Sequence, residues 1–173
     1  SERSTPEQIV AMLNRYFEVA TAAILAEGGT VVQFVGDALM ALFNAPARQS
    51  DHPLRAARAA LALQAAVEPV AAATPGWPRF RIGINTGPAL VGNIGSTALR
   101  NFNAMGDAVN VAARLESVAT PGQVVIGEST RAQLPPTAAV EPLGELSVKG
   151  RSGQVVAFRL VGLGDHVEPD RTV

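Results

Sequence analysis

Thr30-Val31-Val32-Gln33-Phe34-Val35-Gly36-Asp37-Ala38-Leu39-Met40-Ala41-Leu42-Phe43 sets two β-prone apolar runs on either side of a Gly-Asp pair. That pattern predicts a tight hairpin, with Thr30–Val35 and Ala38–Phe43 as its strands. Asn44-Ala45-Pro46 closes it. Asp37 then stands at the tip. On pattern alone it is either a turn residue or a carboxylate presented to a hard cation such as Mg²⁺.

Before the hairpin, Thr5-Pro6-Glu7-Gln8 has the form of a helix start with a capping box. Ile9, Leu13, Phe17, Ala20 and Ile24 follow at helical spacing, and Gly28-Gly29 ends the segment. After the hairpin, Ser50 or Asp51 opens an alanine-rich helix running to about Ala73, broken by Thr74-Pro75-Gly76-Trp77-Pro78. Phe80–Asn85 and Ala89–Ile94 read as strands, Leu99–Met105 as extended, and Asp107–Val118 as a helix with Val109, Ala112, Ala113 and Leu115 on its apolar side. A strand over Gln123–Ile126, a short helix near Glu128–Gln133 and strands near Val140–Val148 and Gln154–Val161 complete the pass. Interleaved helices and hairpins predict an α+β domain with a mixed or antiparallel sheet over residues 1–161, and 162–173 as a tail or linker.

Composition narrows the chemistry. The 173 residues carry 14 Lys and Arg against 15 Asp and Glu, a formal charge of −1, which argues against a nucleic-acid binder. Zero cysteine excludes a disulfide scaffold, a thiolate zinc site and a cysteine nucleophile. No run of about 18 apolar residues predicts a membrane span. No phosphate-binding GxxxxGK[ST] loop occurs, and Gly83, Gly87, Gly92 and Gly95 lack dinucleotide-fingerprint spacing, so they read as turn residues. His52 and His166 have no ligand spacing between them and read as solvated.

A second anomaly lies in Asn101–Glu116. Asn110 and Arg114 are four apart on the predicted helix and share a face. That face is either plainly solvated or presents an amide and a guanidinium to a phosphate-bearing ligand. Lys149, before Gly150, is a loop lysine or a phosphate contact.

Taken together, Phe34-Val35-Gly36-Asp37-Ala38, Arg81-Ile82-Gly83-Ile84-Asn85-Thr86-Gly87, Val91-Gly92-Asn93-Ile94-Gly95-Ser96, Gly106-Asp107-Ala108-Val109-Asn110-Val111-Ala112-Ala113-Arg114-Leu115 and Val148-Lys149-Gly150 resemble the class III nucleotidyl cyclase catalytic domain, in the family's order. The resemblance implies a ferredoxin-like sheet with flanking helices. It implies conversion of a nucleoside triphosphate into a 3′,5′-cyclic monophosphate and pyrophosphate. It implies two Mg²⁺ or Mn²⁺ ions per site, one lowering the pKa of the 3′-hydroxyl and the other neutralising the triphosphate. Asp37 matches a metal aspartate, Asn110 the ribose-orienting residue, Arg114 the arginine at the α-phosphate, and Lys149 the lysine at the terminal phosphates. The site implied is shared: Asp37 of one protomer meets Gln33, Asn103, Asn110, Arg114 and Lys149 of the other, in a cytoplasmic homodimer.

The chain departs from that family's pattern in three places. The purine-reading pair of adenylyl members is usually a lysine four residues before the metal aspartate plus Asp or Thr, and guanylyl members usually have Glu at the first position. Here Gln33 and Asn103 stand there, two amides that each carry donor and acceptor. The expectation is ATP as main substrate with measurable GTP use. The family's other metal aspartate lies on a strand before the first helix. No Asp precedes Asp37, so the expectation is a domain without its opening strand: a fragment, the ordered part of a longer chain, or a variant short of one ligand. A catalytically silent module that binds nucleotide or only dimerises is the rival reading.

Overall fold

The computed structural model describes residues 4–147 and 153–164. Lys149 and the tail Asp165–Val173 fall outside them. Helix α1, Pro6–Ala26, opens on a complete capping box: the Thr5 hydroxyl accepts the Gln8 N–H at 3.2 Å, and the Gln8 Oε1 accepts the Thr5 N–H at 2.9 Å. The predicted apolar stripe is buried only in its second half. Ile9 is exposed, and the buried line is Tyr16, Ala20 and Ile24. Tyr16 enters the core because its ring packs against Trp77 and Phe80 and its hydroxyl donates to the Pro78 carbonyl. A buried phenol needs such a partner. By length and hydropathy α1 is apolar enough to cross a membrane; here that line packs it against α2, His52–Ala73, through Leu63, Val67 and Ala71.

The hairpin forms as read, from β1, Thr30–Val35, and β2, Ala38–Leu42. A bulge between Val31 and Gln33 breaks its register and re-aims the outer half of β1. Ring contact between Phe17 and Phe34, 4.8 Å between centroids, ties the hairpin to α1.

The remaining strands are β3, Ile82–Ile84; β4, Leu90–Gly95; β5, Arg100–Met105; β6, Val124–Gly127; β7, Ala139–Ser147; and β8, Gln154–Gly162. They form an antiparallel β4–β5 arm and a four-stranded sheet in the order β3-β6-β8-β7. Among the described residues only β3–β6 is parallel, so the fold is α+β with largely antiparallel pairing, as expected. Among the described residues the strands make three sheets rather than one. Hairpin and main sheet meet through side chains, with Leu39 of β2 and Ile82 of β3 in the cluster around Tyr16.

Strand β6 explains the core. Val125 faces Val111 and Leu115 of α3, Asp107–Val118, while Val124 and Ile126 pack with Ala57 and Ala60 of α2. Covered on both faces, β6 is an unbroken apolar run, and each such side chain contributes about 2 kcal/mol. The same packing corrects the reading of α3. Its buried line is Val111, Leu115 and, just past its end, Ala119, whereas Ala113 is exposed.

Gly83 is also corrected. It lies inside β3, not in a turn, and a Cβ there would meet the Ala112 carbonyl oxygen and the Glu116 nitrogen, each at 2.3 Å. The glycine lets the strand approach the helix backbone. Gly83→Ala is expected to lower stability by about 3 kcal/mol, because backbone on both sides cannot yield. Chemical denaturation against the parent protein reads this directly.

Candidate active site

Five of the six predicted site residues lie among the described residues, and four of them form two groups. The first is on the β1–β2 hairpin and the β4–β5 arm. Gln33 is exposed on β1, and Asn103, half-buried on β5, donates from Nδ2 to Gln33 Oε1 at 3.4 Å. The Oδ1 of Asn103 accepts the backbone N–H of Ala104 at 2.8 Å. A backbone N–H can only donate, so this contact fixes which way the Asn103 amide points. The sequence treats the two amides as free to turn; the structure joins them in one polar chain. Nothing in the sequence signals it, because the bond runs from a side chain to the next residue's backbone.

The second group is on α3. Gly106, at φ +137, swings the chain from β5 into the helix. Asn110 and Arg114 follow, both exposed and one turn apart on a shared face. Arg114 Nε donates to the Ser147 carbonyl at the end of β7, at 3.1 Å. No sequence pattern points to that contact. It holds the guanidinium at the edge of the main sheet, directly before residues 148–152.

Asp37 is the fifth, in the turn of the same β1–β2 hairpin that carries Gln33. Gly36, at φ +59, makes the turn that carries it, and Asp37 is exposed. It makes no hydrogen bond or ion pair among the described residues. A carboxylate without a protein cation beside it is chemically suited to a hard divalent ion, which takes one or two carboxylates and completes its shell with water and substrate phosphates. Among the described residues no group of three or more His, Asp or Glu is preassembled as a metal cage. The chain has a cleft of about 400 Å³ lined by residues including Asn85, Thr86, Asp107, Ser129 and Gln154, and no predicted site residue lines it.

The chain is similar to known proteins over most of its length. Adenylate cyclase 1 of Rhizobium meliloti (strain 1021) is 39% identical over 175 residues, covering 94% of this chain and 25% of that protein, so the chain spans about a quarter of its length. The solved guanylyl cyclase Cya2 superposes with a TM-score of 0.87 at 33% identity, over 95% of this chain and 85% of that one. The guanylate cyclase domain of RhGC from Catenaria anguillulae, solved in complex with GTP, superposes with a TM-score of 0.85 at 29% identity, over 94% and 88% of the two chains. The family model for the adenylate and guanylate cyclase catalytic domain matches residues 1–162, and the chain belongs to that family.

Proposed function

We propose that this chain is the catalytic part of a homodimeric, cytoplasmic adenylyl cyclase, turning ATP into 3′,5′-cyclic AMP and pyrophosphate, with GTP as a poorer substrate. The observation that carries the reading is complementary chemistry placed on two different elements, the β1–β2 hairpin and α3. Asn110 and Arg114 share one exposed helix face, and Asp37 lies on a hairpin tip with no partner among the described residues. Each element has the chemistry the other lacks, which suits a site completed by a second copy.

In the proposed reaction the ribose 3′-oxygen attacks the α-phosphorus and pyrophosphate leaves. The work of the protein is positioning and charge stabilisation. Asn110 holds the ribose, so that its 3′-oxygen lies in line with the bond that breaks. Arg114 spreads its charge over the non-bridging α-phosphate oxygens, where negative charge grows. Lys149 meets the terminal phosphates. Asp37 is the residue that would hold Mg²⁺ or Mn²⁺, and the bound ion supplies neutralisation of the triphosphate charge.

The test is product formation by the full-length protein given ATP and Mg²⁺ or Mn²⁺. Cyclic AMP and pyrophosphate in equal amounts are expected, with none after chelation. A dimer that binds ATP but yields no cyclic product would favour the silent module instead.

A further inference from the structure

We propose that Asn85 is a positioning residue for this reaction: its amide fastens the first turn of α3 to the main sheet and so fixes where Asn110 meets the ribose. The inference rests on the cyclase reading and adds to it a residue outside the candidate site.

Asn85 directly follows β3. Its Nδ2 donates to the carbonyl of Ala108, in the first turn of α3, at 3.1 Å. That carbonyl can only accept, so it fixes which end of the amide faces the helix. The Oδ1 turns back over the end of β6, where it lies 2.7 Å from the place a Cβ on Gly127 would take. The residues around Asn85 are fastened in turn to α4, Glu128–Arg131. Ser129 Oγ donates to the Thr86 carbonyl at 2.6 Å and lies 3.4 Å from Asn85 Oδ1. One hydroxyl carries one proton, and the shorter contact holds it. The Thr86 and Thr130 hydroxyls are joined at 2.9 Å, and Thr130 is completely buried. The chain after β3 is thus held from behind, and Asn85 passes that hold on to α3.

The first turn of α3 needs such a tie. Gly106, its N-cap, has no side chain to bond the N–H groups of that turn. The Val109 and Asn110 N–H groups both point at the Gly106 carbonyl, at 3.1 and 3.4 Å. Helix ends fray, and the core holds α3 beyond this turn, at Val111 and Leu115. Arg114 has its own tether at the Ser147 carbonyl. Asn110 makes no side-chain hydrogen bond among the described residues, so its place is set by the turn it shares with Ala108. In-line attack tolerates little error there, since a misplacement of about 1 Å costs on the order of a hundredfold in rate.

The experiment measures kcat and KM for the cyclised triphosphate in the full-length protein, in Asn85→Ala, in Asn110→Ala and in the double variant. Asn85→Ala is expected to lower kcat about tenfold with KM within about twofold, because the loss falls on alignment rather than on holding the triphosphate. If Asn85 acts through Asn110, the double variant should be no slower than Asn110→Ala alone. Asn85→Asp keeps the size but sets an acceptor against the Ala108 carbonyl, so its kcat should fall at least as far. The same cycle run with Asn85→Asp carries the test if Asn85→Ala does not fold, and thermal unfolding in parallel reports which variants are folded at the assay temperature. Parent-like kcat in Asn85→Asp, or losses that multiply in the double variant, overturns the inference while cyclic product from the parent leaves the cyclase reading standing. A parent that cyclises neither ATP nor GTP overturns both.

Discussion

Replacing Arg114 with lysine is expected to lower kcat by about a hundredfold while KM changes little. The reason is in how the side chain is held. Its Nε donates to the Ser147 carbonyl at 3.1 Å, and its two terminal nitrogens make no hydrogen bond among the described residues. The guanidinium therefore spends one donor on the fold and keeps a planar fork for the α-phosphate. Lysine has one nitrogen for both tasks. An ammonium that stays on the Ser147 carbonyl is withdrawn from the phosphate, and one that reaches the phosphate loses its tether and its geometry. The loss falls on the transition state, where α-phosphate charge is greatest, and so appears in kcat. Arg114 is exposed on α3, so melting temperature and dimerisation should match those of the parent. Steady-state kinetics within about threefold of the parent would remove Arg114 from the α-phosphate.

The contrast between Arg114 and Gly83 shows what the sequence could and could not reveal. The helix face bearing Asn110 and Arg114 was legible because helical spacing is a local property. The hairpin around Gly36-Asp37 was legible for the same reason. Gly83 was misread because its constraint is the α3 backbone, 2.3 Å from where a Cβ would sit and about thirty residues away in sequence. The sequence pattern puts Ala113 in the core and leaves out Val111, because alanine-rich helices give weak periodicity. The buried line is fixed by Val125 of β6, which only the parallel β3–β6 pairing brings beneath α3. Gln33 and Asn103 were identified as a pair through family resemblance, yet their polarity depends on a backbone N–H that no residue type encodes. Local patterns gave the parts of the site, and long-range packing decided their orientation.

The placing of Asp37 on the β1–β2 hairpin and of Arg114 on α3 leads to the prediction with the sharpest outcome. Asp37→Ala and Arg114→Ala should each lose activity by at least about a hundredfold, for different reasons: one loses the cation, the other the charge at the α-phosphate. Mixed in equal amounts and allowed to exchange subunits, the two inactive proteins should recover activity. Random pairing makes half of the dimers mixed. If Asp37 comes from one copy and Arg114 from the other, each mixed dimer has one site with both residues intact and one with neither. Intact sites then number about a quarter of those in the parent, and cyclic AMP production should recover to that level. A site built within a single chain gives another answer, since every site in every dimer would lack one residue and the mixture would stay as inactive as its parts. Nucleotide binding measured in parallel separates loss of chemistry from loss of substrate. Recovery near a quarter requires both that the residues act in one site and that the site lies between copies.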